Sequence, residues 1–510
     1  MPKSSLAKAL WVLTSLALLS LPAWGGTVHY TYDLAGRLIR VDYDNGKTIE
    51  YVYDAAGNML QRSVYGGAVA CAHVASSSVW NTRFSLVNLG PNNTTATFKA
   101  FREDGTELES VESAAIPPNG SLDGDFDAVF TPATLAQGIW TKIIGNTDLK
   151  GVITFGTRDN LTLVTIPMFA NGAPDLIFPY VYSAGIWYTG ITLINPGTTA
   201  VNATLEAFDE TGQSLGTVAA DIPAMGKYVR LVEYIGFAVA NPVSIRSIQV
   251  TCAKPLIGFE LFGRWDELGL AGLPAFSPST SLFRKSARAA SDRTDHTVYY
   301  NEIPDIGIYY TGVTFSNLGD TQTTVHVTLY DANGNVLGEN NWPVEVREQI
   351  TREIWWLFDG AEVPAAAYLK ATAPQELMGF ELFLTRDTSQ RPFQFDGVIG
   401  MSGGSKKLVF PLIRSTDGWT TYLRITNLSG AENQIQIHSY AADGTALGTT
   451  AHTLLAGGRL NHLLQELQPA RSGPIAWVQV EAAGDVTADA FYYSSDMTRL
   501  SSYMGLANFR

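Results

Sequence analysis

The sequence predicts a mainly β protein: four tandem antiparallel β-sandwich modules, each with one short helix, preceded by a β-hairpin ribbon. Three observations carry this expectation. A nine-residue pattern (aromatic, any, Thr, any, apolar, any, apolar, any, Asn) is written four times, beginning at Trp80, Trp187, Tyr309 and Trp419. Thirteen residues after each Asn stands an aromatic (Phe101, Phe208, Tyr330, Tyr440), and four further on a Gly (Gly105, Gly212, Gly334, Gly444). Between these fixed points apolar and polar residues alternate, which is the period of a half-buried strand. Fixed internal spacing of this kind marks one structural unit repeated.

The totals suit that reading. The 510 residues are 46% hydrophobic and 16% charged, enough apolar surface for several cores and too little charge for bulk disorder. Residues 1–25 read as an export signal. Lys3 and Lys8 form a positive start, Ala9 to Leu21 an apolar run, and Ala23-Trp24-Gly25 a small-residue cleavage site. That run is short for a membrane span, and no other segment is long enough, so the mature chain is expected to have no transmembrane segment. Without the leader the chain carries 32 Lys and Arg against 48 Asp and Glu, a net charge of −16. Such a surface repels phosphate backbones, so nucleic acid is not expected as a partner. The expectation is a bacterial exported protein, whether periplasmic, secreted or held at the cell surface.

After the leader, residues 26–67 form the ribbon. Tyr30-Thr-Tyr32-Asp33-Leu-Ala-Gly36-Arg37-Leu38 returns 21 residues later as Tyr51-Val-Tyr53-Asp54-Ala-Ala-Gly57-Asn58-Met59. Alternating Tyr suits a strand, and Asp-x-x-Gly supplies a turn. Asp44-Asn45-Gly46 is a further tight-turn signal. The four modules are placed at 68–172, 173–276, 298–399 and 407–510. In each, the aromatic-to-Gly step, such as Phe208-Asp209-Glu210-Thr211-Gly212, reads as a hairpin turn between antiparallel strands. About forty residues after each leading aromatic comes an amphipathic segment. Examples are Tyr228, Leu231, Val232, Tyr234 and Ile235 before Gly236, and Ile350, Ile354, Trp355, Leu357 and Phe358 before Asp359-Gly360. The spacing of three and four with a Gly stop predicts a helix of two or three turns. Module one offers only Phe126, Val129 and Phe130 there. Each module closes on apolar strands, such as Gly258-Phe259-Glu260-Leu261-Phe262 and Gly379-Phe380-Glu381-Leu382-Phe383. Residues 277–297 and 400–406 read as linkers. The first is rich in Ser, Ala and Arg, and a cut near Arg284 to Arg293 is expected to separate two halves of two modules each.

These motifs carry two resemblances. The first ribbon copy resembles the Y-x-Y-D-x-x-G-R-L signature of the YD repeat of the RHS family, over roughly residues 28–64. In that family many such repeats build a hollow shell; two copies enclose nothing, so the shell function is not implied here. The modules resemble repeats of bacterial secreted and surface proteins. More faintly, they resemble the small β-sandwich family that includes the sensory-rhodopsin transducer, a likeness of fold that implies no chemistry.

Candidate sites are few. Gly400-Met401-Ser402-Gly403-Gly404 matches the nucleophile-elbow pattern, but the residues after it are strand-like where an elbow needs a helix. Asp123, Asp125 and Asp127 have the first offsets of a calcium loop, without its Gly at the sixth position or acid at the twelfth. No His or Cys spacing suits zinc, and no cofactor fingerprint is present, so no catalytic, metal or cofactor residue is assigned. Glu260 and Glu381 recur in sister modules, too far apart in sequence to be read as a catalytic pair. Cys71 and Cys252 could staple modules one and two or stand as buried thiols. The leading aromatics Trp80, Trp187, Tyr309 and Trp419, with Tyr188 and Tyr310 beside two of them, are the candidate ligand-binding residues. Flat rings stack on sugar faces, and the opposing account is that each ring plugs its own core. The expected function is a non-catalytic binding or structural protein that presents repeated sandwiches to polysaccharide, cell-surface material or a protein partner. An extracellular carbohydrate hydrolase and a degenerate piece of a larger YD-repeat protein are the alternatives.

Overall fold

The computed structural model describes residues 28–33, 35–43, 47–54, 56–146, 148–239, 241–266, 269–277, 296–301, 303, 308–360, 362–386, 388–389, 393–416, 418–467, 473–496 and 499–507. The leader, the 44–46 turn signal and nearly all of the 277–297 linker lie outside the described residues. Strands hold 59% of the chain and helices 5%, so the fold class is β, built from antiparallel sheets. Among the described residues no helix is long and apolar enough to cross a membrane.

Each module is a pair of four-stranded sheets. In module three one sheet joins His296–Tyr300, Ala366–Ala373, Thr323–Asp331 and Val336–Val344; the other joins Gln349–Glu353, Tyr309–Asn317, Leu377–Thr385 and Phe395–Ile399. Modules two and four fuse the pair through one 18-residue strand, Ser247–Arg264 or Trp477–Ser494, that serves both sheets. In module one the outer sheet grows to seven strands. Its Met59–Cys71 strand pairs with Trp140–Gly145 at one end and with the ribbon at the other, so the YD ribbon continues a module-one sheet.

The recurring pattern is structural in its Thr and Asn. Asn195 is fully buried and donates to the carbonyls of Thr199 (2.8 Å), Ile222 (3.3 Å) and Pro223 (2.9 Å), while its oxygen accepts from Gly197 N–H. Asn88 and Asn427 likewise serve three carbonyls each in their modules, and Asn317 serves two. Buried backbone groups at a sheet corner need such a partner, and an amide side chain supplies donor and acceptor at once. The Thr plays a parallel part: Thr82, Thr189 and Thr421 each both accept from and donate to the backbone of one residue on the preceding segment.

The modules close into a ring. The strands Leu163–Pro167, Leu270–Pro274, Phe395–Ile399 and Leu500–Met504, one from each module, pack each against the next and the fourth against the first. The space between them is about 30 Å³, room for a single water at most. One contact repeats around the rim: the aromatic-to-Gly turn of each module docks on the next. Lys227 N–H donates to Glu103 O (2.9 Å), Gln349 N–H to Glu210 O (3.0 Å), Arg459 N–H to Ala332 O (2.8 Å) and Ser121 N–H to Ala442 O (2.9 Å). The turn Gly is fixed for two reasons. At Gly212 φ is +82°, and a Cβ would fall on the carbonyl of Val346 in module three. The receiving corner is also left-handed, at Asn119, Met225, Arg347 and Gly457. Trp140 and Trp477 cap these corners by donating to Met225 O and Asn119 O.

One expectation, the helices, needs correction, and two matters left open by the sequence take a definite form. The four tandem modules form a closed ring, because module four docks on module one by the contact that joins its predecessors. The amphipathic segments are not helices of two or three turns. Lys227–Leu231 and Gln349–Glu353 are strands, followed by single turns at Val232–Tyr234 and Ile354–Phe358; module four has one α-turn, Leu464–Leu467. Apolar residues of those strands and buried residues of the following turn, such as Ile350 with Ile354, Trp355 and Leu357, fall at offsets that imitate helical spacing. Cys71 and Cys252 are not bridged. The buried Cys71 thiol donates to His73 O, and Cys252 lies beside Asn202 O.

Candidate functional site

The junction of modules two and three departs from the repeat. A cleft of about 470 Å³ opens there, lined by the rings of Tyr180, Tyr182, Trp187, Phe262, Tyr310 and Phe395, with Thr351, Arg352 and Glu353 on its polar side. Tyr180 and Tyr182 come from the segment that follows the Ala173–Phe178 strand and leads into the Trp187–Ile194 strand. Tyr182 is held there by the paired backbone bonds to Thr189. Trp187 begins that strand, and Tyr310 lies second in the Tyr309–Asn317 strand of module three. Phe395 begins an axial strand and meets Trp187 edge-on at 5.0 Å. Tyr180 packs edge-on to Phe262 at 4.9 Å and to Phe380 of module three at 5.2 Å, tying the two modules across the cleft floor.

Guanidinium groups reinforce the rings. Arg386 stands 4.3 Å over Tyr310, and Arg264 lies 5.7 Å over Trp187. Burial pushes the Tyr180 hydroxyl up to about 12, so it is neutral at any working pH. Burial also raises the Glu353 carboxyl, with Arg386 at 3.8 Å pulling it back. Behind the cleft, Glu260 is fully buried. One of its oxygens accepts from Tyr180 N–H (3.0 Å), and desolvation raises its pKa well above the ordinary value. Glu381 occupies the matching place in module three, raised in the same way by burial and by Asp489.

Of the six sequence candidates, the structure brings Trp187 and Tyr310 together. Tyr188 packs on the exposed Trp265, with ring centres 4.6 Å apart. Trp80 is half-buried and stacked on Phe155 at 5.0 Å, and Trp419 is half-buried under Arg414 and edge-on to Tyr492. Tyr309 is 3% exposed, and its hydroxyl donates to Gln394 Oε1. Sequence reasoning missed Tyr180, Tyr182, Phe262, Phe395 and Arg352. The signal available was asymmetry: where module two has Tyr180 and Tyr182, the other modules have His73 and Ala75, Asn301 and Ile303, and Leu412 and Arg414.

The other motifs have structural partners. Asp125 takes the Asn81 amide (2.8 Å), Asp127 pairs with Arg158 (2.7 Å), and Asp123 stands exposed on the Ser121–Asp125 strand. Their carboxylates therefore do not converge, and among the described residues no group of three potential ligands is placed to hold a metal ion. In the Gly400–Gly404 segment, Met401 bridges to Tyr299, and the strand Ser405–Phe410 comes next where an elbow requires a helix.

Comparison with known proteins agrees at the N-terminal end. Residues 32–68 match the RHS Repeat family model, the stretch that forms the ribbon. No curated protein matches the chain. Among solved structures, Thermotoga maritima 1070 is 14% identical over 22% of this chain and 98% of its own, at a TM-score of 0.19. The partial N-terminal region of the enterococcal surface protein covers 71% of this chain and 90% of its own, at 8% identity and a TM-score of 0.17. A tetra-tandem repeat from the extending region of a large adhesion protein covers 84% and 95%, at 10% identity and a TM-score of 0.11. Likenesses at these scores carry no argument about what this chain does.

Proposed function

We propose that this chain is an exported, non-catalytic binding protein whose four-module ring holds an aromatic cleft for a polysaccharide chain. The observation that carries the reading is the cleft between modules two and three, where six rings gather at a junction that the repeat alone would not make aromatic. Its volume lies in the range of small-ligand sites, and stacked rings with a few polar groups are the chemistry that holds a sugar's apolar face and fixes its edge. Export rests on the residue pattern of 1–25. The YD ribbon extends a module-one sheet outward from the ring and is a second surface for contact with other material. The test is a titration of residues 26–510 with neutral and charged oligosaccharides and with intact cell envelopes, read by tryptophan fluorescence. Saturable quenching that disappears in Trp187→Ala and in Tyr310→Ala is the expected result. Retention on envelopes with no response to any sugar would replace the polysaccharide with a protein partner.

A further inference from the structure

We infer that the cleft selects an acidic glycan, one whose sugars carry carboxylates, and that Arg352 is the residue that reads the charge; this rests on the sugar-binding reading above. The argument is a comparison between equivalent positions of neighbouring modules. Arg230 in module two stands opposite Ile191, and Arg352 in module three stands opposite Val313, each facing the residue four places after its leading aromatic. Arg230 is neutralised within the molecule, since it donates to the Glu103 carboxylate (2.9 Å) on module one's docking turn. Glu210 is the counterpart of Glu103 on module two's turn, and its backbone makes the same docking bond to Gln349. Its carboxylate forms no ion pair with Arg352. Arg352 donates only to the carbonyl of Thr351 (2.7 Å), and no carboxylate of the described residues pairs with it.

The surroundings sharpen this. The neighbouring guanidiniums are otherwise engaged: Arg386 has Glu353 and Glu362, Arg264 has Asp266, and Arg246, over the Tyr182 ring, donates to the carbonyls of Val243 and Ile245. Among the described residues, Arg352 is thus an unpaired cation on the exposed rim of an aromatic cleft, in a chain whose net charge is −14. A guanidinium fork matches a carboxylate in two parallel hydrogen bonds, whereas a neutral sugar offers hydroxyls that any polar side chain could meet. Ring stacking is indifferent to the ligand's charge and the Glu353 carboxylate is matched by Arg386, so selectivity for acid over neutral sugar falls to Arg352.

The experiment is a fluorescence titration of the full mature chain with oligogalacturonate and with its methyl ester, which keeps the sugar backbone and replaces each carboxylate by a neutral ester. The expected result is tighter binding of the acid, weakening with salt. Arg352→Gln is expected to lose about tenfold or more in affinity for the acid and little for the ester, as removal of one charged hydrogen-bond partner implies. Arg352→Lys should recover part of the loss. Arg352 is exposed, so both variants should unfold with the parent, which thermal scans check. Equal binding of acid and ester, or an Arg352→Gln variant that keeps the parental preference, overturns the inference while leaving the cleft a sugar site. Binding of neither, together with no response to neutral glucans, sinks the sugar-binding reading and this inference with it.

Discussion

Asn195 shows how one residue type can be dictated by backbone chemistry. Its amide group serves three carbonyls and one N–H at a buried corner, a combination that no other neutral side chain but Gln provides. Asn195→Ala should therefore cost about 2–4 kcal/mol in urea unfolding, since three acceptors lose their partner inside the protein. A loss under about half a kcal/mol would mean that water reaches the corner. This role was legible beforehand, because the Asn recurs at a fixed distance from the strand it ends. Glu260 was not legible in the same way. It recurs in one sister module only, and burial leaves no periodic trace in a single acid. Its folded pKa lies well above the ordinary 4.5, because desolvation outweighs the one backbone bond. The unfolded chain releases this proton near the ordinary value while the folded chain retains it. Stability is thus fullest below that value and falls as pH rises toward the folded pKa. Glu260→Gln keeps an acceptor for Tyr180 N–H and removes the titration. Its melting temperature should gain on the parent steadily as pH rises above the ordinary carboxylate value. A constant offset over that rise in pH would show that Glu260 is not the group responsible.

Strands and turns were readable in the sequence to the extent that their periods are distinct. The hairpin after Phe208 was explicit in Asp-x-x-Gly, and its conformation is the one those residues favour: Asp209 Oδ1 accepts from Thr211 and Gln213 N–H while Gly212 takes the left-handed position. The helices were overread. A strand of five residues followed by a single turn puts apolar groups at offsets that a helix would also produce, and sequence spacing alone does not separate the two. What the sequence held but did not announce was a second duty for each turn. Gly212 is pressed against the corner at Val346 and Arg347, so its lack of a side chain serves the junction as well as the turn. Gly212→Ala should cost about 1–3 kcal/mol from the left-handed strain alone, and more where the junction is forced apart. Hydrogen exchange is the informative readout. The Gln349 N–H, which donates to Glu210 O across the junction, should lose protection in the variant while the Asn195 corner keeps its own. Equal loss at both places would mean that the whole module, and not the junction, is weakened.

At the scale of the molecule the sequence supplied four units and withheld their arrangement. Repeats of equal spacing are compatible with a string and with a ring, and the choice depends on whether the last unit's turn fits the first unit's corner. Here it does. Gly444 meets Pro118 to Gly120 as Gly212 meets Val346 and Arg347, and Trp477 donates to Asn119 O as Trp140 donates to Met225 O. The consequence reverses the outcome expected for a cut in the long linker. A ring divided between modules two and three in sequence is still joined there by the Gln349 docking bond and Tyr180's contact with Phe380, and again where module four meets module one. Cutting the chain at a specific protease site placed between residues 285 and 290 should therefore give two polypeptides on a denaturing gel and one species of undiminished mass in gel filtration. The cleft lies across one of those two junctions, so sugar binding should survive the cut as well. Separation of the halves in dilute buffer, with loss of tryptophan quenching, would show that the covalent linker and not the repeated turn-to-corner contact holds modules two and three in register.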